Sequence, residues 1–423
     1  MPTRTATRPL YPHLEPAAVL GGPGTLLEPD AVRAFVAEQL RDPAYDGSSV
    51  CVIVPDATRS CPLPLLVGAV HEALRGRVTA MTVLVALGTH APMSREALSR
   101  HLGDLPGVEV RNHDWDDPAT FVTLGHIEAD RVEELSGGLM RERVPVRLNR
   151  AVVEHDVSLV VGPVFPHEVV GFSGGNKYFF PGVGGQEVID ASHWLGALIT
   201  SATLIGSPGI TPVRALIDDA AALVPGERRA LAVVVRSGTT DLHAVGYGPP
   251  ETAWAACAEV SAVEHVTYLD APVRRVVSVV PEKYDDLWTG AKGFYKVEPV
   301  VADGGEVVLL APHITEVAAM HPAIEEIGYH CRDYFTGQPE RFAGHHRGDL
   351  AHSTHLRGAG TWDPEHGERD RVTVTLATGI PADVVRRIGL AYRDPASVDL
   401  AAERADPDTL VVEEAGEVLH RLR

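Results

Sequence analysis

The sequence predicts an α/β protein built of two mixed α/β domains, with the active site in the cleft between them. Three observations carry that expectation. Val-rich runs of strand length alternate with Ala/Leu/Glu stretches of helix length, the pattern of parallel strands joined by helices. The 423 residues exceed the usual size of one domain. Polar or cationic residues also follow directly on several strand-like runs, which is where open α/β sheets gather their ligands.

Taken in order, the opening MPTRTATRPLYPHLEP lacks the apolar core of a secretion signal and reads as a lead-in or an early strand. Ser49–Pro55 reads as a buried strand. Pro62–Arg75 reads as a helix, with Pro64 in its first turn, where proline is tolerated. Met81–Ala86 is the next strand, and Ser94–Leu102 a helix capped by Ser94 with a glutamate close behind. Val157–Val161 is another buried strand. Composition breaks near Glu264–Pro272, and a fresh strand follows at Arg275–Pro281. Gly293–Ala302 reads as helical despite Pro299, and Glu306–Ala311 and Val372–Ala377 as strands. Gly344–Gly367, rich in His and Gly, reads as a long loop or excursion. The expected division is 1–270 and 271–405, with 406–423 as a terminal helix packing back.

Composition narrows the function. A net charge of -20 argues against a nucleic-acid partner, since phosphate backbones call for basic stripes. It leaves an anionic small molecule open, because one buried arginine can override a distant field. No run of about 18 apolar residues marks a membrane span. Cys51, Cys61, Cys257 and Cys331 show no close metal spacing and no C-x-x-C, so a reduced cytoplasm is the expected compartment.

The most informative stretch is VGPVFPHEVVGFSGGNKYFFPGVGGQEVIDASH, from Val161 to His193. It holds His167, Lys177 and His193. Ser173-Gly174-Gly175 precedes the lysine and Pro181-Gly182-Val183-Gly184-Gly185 follows it. Glycine in such numbers is costly in chain entropy, which points to backbone passing close to something bound. Lys177 beside Tyr178, Phe179 and Phe180 can be desolvated into a nucleophilic amine; the plain alternative is a surface lysine capping a turn. The run fails as a phosphate-binding Walker loop, having Asn176 where the second glycine belongs and no Ser or Thr after the lysine. No G-x-G-x-x-G follows a strand, so a dinucleotide site has no support.

His90, His167 and His193 all lie in or near glycine- or proline-marked turns, and imidazole serves both as metal ligand and as acid/base near neutral pH. Asp56-Ala57-Thr58-Arg59 precedes a helix and suits a phosphate or carboxylate, with a simple helix cap as the plain alternative. Asp56–Arg59, Thr89-His90, Pro166-His167 and Pro281–Asp285 each follow a strand, so the four can converge on one cleft. His345, His346, His352 and His355 cluster without a recognisable ligand spacing and read as a solvated loop.

These motifs resemble the nickel-pincer lactate racemases and their relatives over most of the chain. The resemblance rests on D-x-T-R as Asp56-Ala57-Thr58-Arg59, on G-T-H as Gly88-Thr89-His90, and on P-H-x-x-x-G-F-S-G-G-x-K-x-x-x-P-G from Pro166 to Gly182. His193 follows at the expected distance, and Ala291-Lys292-Gly293 loosely matches an A-x-K-G turn. The resemblance implies that 1–270 is a cofactor-binding domain. It implies a nickel-pincer nucleotide (a pyridinium-3,5-bisthiocarboxylic acid mononucleotide carrying Ni) joined to Lys177 through a thioamide, with nickel also bound by His193. His90 and His167 would be the paired acid/bases. Asp56, Thr58, Arg59, Ser173, Gly174 and Gly175 would lie by the cofactor, and Arg59, Lys292, Trp288 and Thr289 by the substrate. One histidine would take the hydroxyl proton of a 2-hydroxy acid while hydride leaves C2. A planar 2-keto acid would result, and return of hydride to its other face would invert C2. Such an enzyme would depend on separate cofactor-synthesis enzymes, would need neither nucleic acid nor membrane, and leaves room for a homo-oligomer.

The substrate half departs from the lactate enzymes. Trp288-Thr289 stands where they carry Tyr-Gln, and Leu350-Ala351-His352 where they carry a tryptophan. The expected substrate is therefore a 2-hydroxy acid other than lactate, larger or sugar-like, which would make the enzyme a C2 racemase or epimerase. Two other classes remain open at this point: a zinc-type metallohydrolase using His90, His167 and His193, and a non-catalytic nucleotide-binding relative.

Overall fold

The computed structural model describes residues 9–423. Residues 1–8 of the lead-in lie outside the described residues; the rest of it forms turns, and the first strand is Ala18–Gly21. Seven strands form the first sheet, in the order Ala18–Gly21, Leu242–Gly248, Glu227–Val235, Val157–Pro163, Ser49–Pro55, Ala80–Ala86 and Glu109–Asn112. The last five of these run parallel, and antiparallel pairing is confined to the other edge.

The central strands are buried almost throughout because helices cover both faces, which is why they read as continuous Val-rich runs rather than alternating ones. Val50, Val52 and Val54 enter the core on one face of the sheet, Cys51 and Ile53 the core on the other. A second sheet is parallel throughout, in the order Ala391–Tyr392, Thr373–Thr378, Val301–Ala311, Val273–Val279, Thr409–Val412. It has its own core, centred on Val276, Val307, Leu309 and Leu376. No helix of the described residues is long and apolar enough to cross a membrane, and all four cysteines are free and buried.

Strand order decides where a ligand can sit. From Ser49–Pro55 the chain moves outward through Ala80–Ala86 to Glu109–Asn112. It then returns to the opposite side of Ser49–Pro55 as Val157–Pro163. Neighbouring connections diverge there, leaving a crevice past the carboxyl ends of those two strands.

Three expected elements take a different form. The terminal helix is absent: Thr409–Val412 completes the edge of the second sheet, and Leu419–Leu422 pairs in parallel with Val266–Leu269. The β-branched run at Val411-Val412 favours a strand, and Gly416, at φ 111° against Tyr284, breaks any helical path between the two. The helix expected over Gly293–Ala302 is reduced to Lys292–Tyr295 and a short 3-10 turn at Glu298–Val300. Pro299 cannot extend it, and a strand starts at Val301. The stretch expected as a loop over Gly344–Gly367 contains the helix Arg347–Ser353, which packs on the helix Gln186–Ile199 of the first half. Its approach is fixed where the Gly348 N–H donates to Asp190 Oδ1 at 2.9 Å.

The C-terminal segment ties the halves together through Glu417. Its buried carboxylate accepts from Lys283 Nζ at 2.6 Å, Ser60 Oγ at 2.5 Å and the Gly238 N–H at 2.9 Å. Burial alone would raise this carboxyl, but Lys283 and the surrounding donors hold it down at about 2, against an ordinary 4.5. A depressed carboxyl adds stability that is in force above its unfolded value and is lost as pH falls toward its folded one. Glu417→Gln is therefore expected to be less stable than the parent at pH 7 by on the order of 3 kcal/mol in urea denaturation. That gap should narrow as pH falls below 4.5, and equal stabilities at pH 7 would show that the latch contributes nothing.

Candidate active site

Each first-half side chain at the crevice follows a strand that brings it there. Asp56 follows Ser49–Pro55, Gly88-Thr89-His90 follows Ala80–Ala86, and His167 follows Val157–Pro163 in a small hairpin with Gly171–Phe172. The chain then makes the Ser173-Gly174-Gly175 turn. Gly174 and Gly175 lie at φ 88° and 58°, and a Cβ on either would come within 2.8 Å of Val164 or Trp254, so only glycine passes here.

The turn is held from beneath. Buried Arg214 stacks 4.1 Å over Trp254 and donates to the carbonyls of Gly174 at 3.0 Å and Phe172 at 2.5 Å. Asn176 donates to Asp218 and Glu251. Lys177 leaves this braced turn toward the cavity, and among the described residues its ammonium has no hydrogen-bond or ion-pair partner. The cavity has about 1150 Å³ of free space, part of it open to solvent, which is ample for a nucleotide and a small acid together.

Most of the expected site residues line this one cavity: Asp56, Arg59, His90, His167, Lys177 and His193, with Ser173 and Gly174 beside the lysine. Trp288 and Lys292 enter from the second half. Three do not line it. Thr58 lies behind Asp56, its hydroxyl donating to Asp56 Oδ1 at 2.6 Å. Gly175 packs against Trp254. Thr289 turns its hydroxyl to Asp286 Oδ1 at 2.9 Å, where it serves its own helix start. The Pro281–Asp285 segment also stays outside: Lys283 is drawn to Glu417, and Tyr284 lies under Lys292, 4.9 Å from its Nζ.

Hydrogen-bond partners fix the histidines. His90 Nδ1 is 2.5 Å from Asp56 Oδ2, and an ionised carboxylate only accepts, so Nδ1 carries the proton and Nε2 keeps its lone pair. Asp56 is held well below the usual carboxylate range: burial opposes its charge, but His90 and Thr58 outweigh that. At His167 the pattern reverses. Nδ1 accepts from the Val169 N–H at 3.1 Å, which leaves the proton on Nε2. The pair thus rests as one acceptor and one donor. His193 donates Nδ1–H to the Ile189 carbonyl at 2.8 Å, leaving Nε2 as a free lone pair. Burial, then the charge on Lys177, lowers His193 to about 4, so it is neutral at physiological pH.

Positive charge crowds the cavity. Burial, then Arg59, brings Lys177 down to about 7 and Lys292 to about 8. Burial, then Lys177 and Arg59, pushes His167 far below its ordinary value. A nickel-pincer nucleotide fits these residues on two counts: an unpartnered amine of lowered pKa to join it, and a neutral imidazole whose other ring nitrogen is tied to a carbonyl, as a metal-ligating histidine requires. Among the described residues no three His, Cys, Asp or Glu side chains come together as a ligand set, so a metal here would bring donors of its own. For the same reason, zinc held by His90, His167 and His193 alone lacks its ligand set.

Sequence reasoning missed several lining residues. Glu168 sits beside His167 and faces the cavity, and adjacency to a marked histidine was its only signal. His352 and His355 are buried cavity residues rather than members of a solvated loop. His321 and His352 sandwich Trp288 at ring separations of 3.8 and 3.6 Å, which fixes the indole. His321 also reaches Thr89 Oγ1 at 2.9 Å and Asp349 Oδ1 at 3.1 Å, joining the two halves at the rim.

Known proteins with related sequence or fold bear on this arrangement. Residues 30–204 match the family model of the lactate racemase N-terminal domain. Lactate racemase of Thermoanaerobacterium thermosaccharolyticum is 25% identical over 160 residues, 37% of this chain. That of Lactiplantibacillus plantarum is 26% identical, again over 37% of this chain. The match spans only about a third of each relative's length, 34% and 35%. A crystal structure of a Thermotoga maritima protein is 31% identical with a TM-score of 0.88, covering 96% of this chain and 100% of the other. The lactate racemase apoprotein of T. thermosaccharolyticum, at 16% identity and a TM-score of 0.73, covers 96% of this chain and 100% of its own and shares the fold.

The lowered lysine is directly measurable. Reductive 13C-methylation of the chain without cofactor, followed by NMR titration, should show a resonance titrating at about 7 that disappears in Lys177→Arg. A Lys177 signal titrating near 10.5 would remove the argument that burial and Arg59 activate this amine.

Proposed function

Because the chain belongs to the lactate racemase-like family, we propose that it is a nickel-dependent racemase or epimerase that inverts C2 of a 2-hydroxy acid. One observation carries the reading. Two imidazoles held through opposite hydrogen-bonding patterns at Nδ1, His90 and His167, line the same cavity as an activated lysine and a neutral, oriented His193. Lys177 would hold the nucleotide and His193 its nickel. When bound, the nickel-pincer nucleotide supplies the centre that takes hydride from C2 and returns it.

The chain's own residues supply the rest. Arg59 lines the cavity without a side-chain partner, and Lys292 donates only to the Thr289 carbonyl at 3.3 Å, so both are available to a carboxylate. His90 Nε2 is set to accept the C2 hydroxyl proton, and Asp56 stabilises the imidazolium that forms. His167 presents Nε2–H to an oxygen arriving on its side. Inversion needs two such groups, because each is the acid of the reverse reaction. The low-dielectric cavity strengthens each of these contacts relative to water.

A substrate larger than lactate, such as a sugar acid, suits the cavity better. Its second-half wall carries the polar side chains of His352 and His355, which can meet hydroxyl groups that lactate lacks. The same reading has the chain working in the cytoplasm and receiving its cofactor from separate synthesis enzymes.

Intact mass and metal analysis of protein from a host that makes the cofactor should show a nickel-bearing adduct lost in Lys177→Ala. Incubation with a panel of 2-hydroxy acids should invert C2 of at least one. No adduct and no inversion would sink the reading, and lactate as best substrate would sink its substrate half. Asp56→Asn should lower kcat by about 10²-fold or more with little change in KM, since it removes the carboxylate that sets the His90 tautomer. An unchanged kcat would remove His90 from the proton transfer.

A further inference from the structure

Of the two cavity-wall carboxylates to which the proposed reaction gives no task, Asp349 is held by His321 at 3.1 Å, which leaves Glu168. It lines the cavity with its side chain 13% exposed, beside Lys292, His355 and Tyr295 of the second half. Burial opposes its charge, but His355, Lys292 and Arg59 more than offset that, and the carboxyl stays ionised. No Lys or Arg nitrogen comes within ion-pair distance of it among the described residues. Its nearest cation-capable neighbour, His167 Nδ1 at 3.3 Å, is already accepting from the Val169 N–H. Its own backbone N–H and the Tyr295 phenol lie close by. An ionised carboxylate offers about four acceptor sites, so these partners leave it short of donors.

Resting on the reading above, we propose that the Glu168 carboxylate reads the substrate beyond C2 by accepting a hydrogen bond from a hydroxyl on C3 or C4. The position is right for this. Glu168 and His167 line the same cavity, the carboxylate lying 3.3 Å from Nδ1, the ring nitrogen turned from the substrate, so an acid whose C2 hydroxyl meets Nε2 can extend its next carbons along the wall toward the carboxylate. Lactate offers only a methyl group there. A buried carboxylate facing a methyl group keeps its desolvation cost without a compensating donor. Sites built to hydrogen-bond a substrate hydroxyl reject the deoxy analogue by far more than a methylene pocket rejects a size change.

The test compares matched acids on cofactor-loaded enzyme: glycerate against lactate, and 2,3-dihydroxybutyrate against 2-hydroxybutyrate. The parent should favour each hydroxylated acid in kcat/KM by about 10²-fold or more. Glu168→Met should narrow that ratio to within about threefold, chiefly by raising KM for the hydroxylated acid. Glu168→Gln, which keeps one acceptor oxygen, should fall between. A parent that shows no hydroxyl preference overturns the proposal without any variant. Equal losses for both members of a pair also overturn it, because that is what a residue acting only through His167 would give. If no acid in the panel is inverted, the functional reading fails, and calorimetric binding to the cofactor-free chain still decides the role of Glu168. Glycerate binding more tightly than lactate, with the difference lost in Glu168→Met, supports it; equal binding overturns it.

Discussion

The site depends on one constraint, the crowding of positive charge in a cavity of low dielectric. Arg59, Lys177 and Lys292 line it, with Lys296 buried close behind, against the carboxylates of Asp56 and Glu168. Since Coulomb interactions weaken little over short distances in such surroundings, each cation raises the cost of the next. The consequences run through every group. Lys177 and Lys296 sit at about 7 and Lys292 at about 8, so their amines are partly neutral near physiological pH. His167 and His193 are kept neutral, which suits proton transfer and metal ligation, while both carboxyls stay ionised.

Such a cluster does not hold itself in place, and much of the surrounding structure opposes its dispersal. Arg214 and Asn176 brace the glycine turn from below, so that Lys177 emerges from backbone that cannot relax away. Buried Lys296 donates to the carbonyls of Pro166 and Glu417, binding the C-terminal segment to the residue before His167. Glu417 itself clasps Ser60, next to Arg59, and Lys283 of the second half. His321 makes the corresponding tie across the rim to Thr89. The geometry of the His90 and His167 pair is thus a property of both sheets and not of the turn that carries His167.

The second half differs in how it contributes. Trp288 is fixed between two imidazoles, and the helix Arg347–Ser353 brings His352 against the cavity from a long excursion between two adjacent strands of the second sheet. On the proposed reading, the first half supplies the groups that would hold a cofactor and move protons, and the second half would close the space around the substrate. That division matches where this chain keeps and where it abandons the motifs of the lactate enzymes.

What the sequence determined by itself was local. Buried strands announce themselves as Val-rich runs because helices cover both faces, and polar groups at strand ends mark a ligand crevice because strand direction is set by the parallel pattern. Ser173-Gly174-Gly175 was legible because only glycine adopts that backbone. Asp56, Arg59, His90, His167, Lys177 and His193 could therefore be expected together, and they line one cavity. Tertiary structure decided what depends on partners distant in sequence. Glu168 and Thr289 carry no local sign of whether they face the cavity: one does and the other bonds Asp286. His352 and His355 lie in a Gly- and His-rich stretch that resembles a loop until it packs on the helix carrying His193. Thr409–Val412 and Leu419–Leu422 became strands because two edges, at Val273–Val279 and Val266–Leu269, were waiting for them. Propensity is set by neighbours in sequence, but burial, charge and strand pairing are set by neighbours in space.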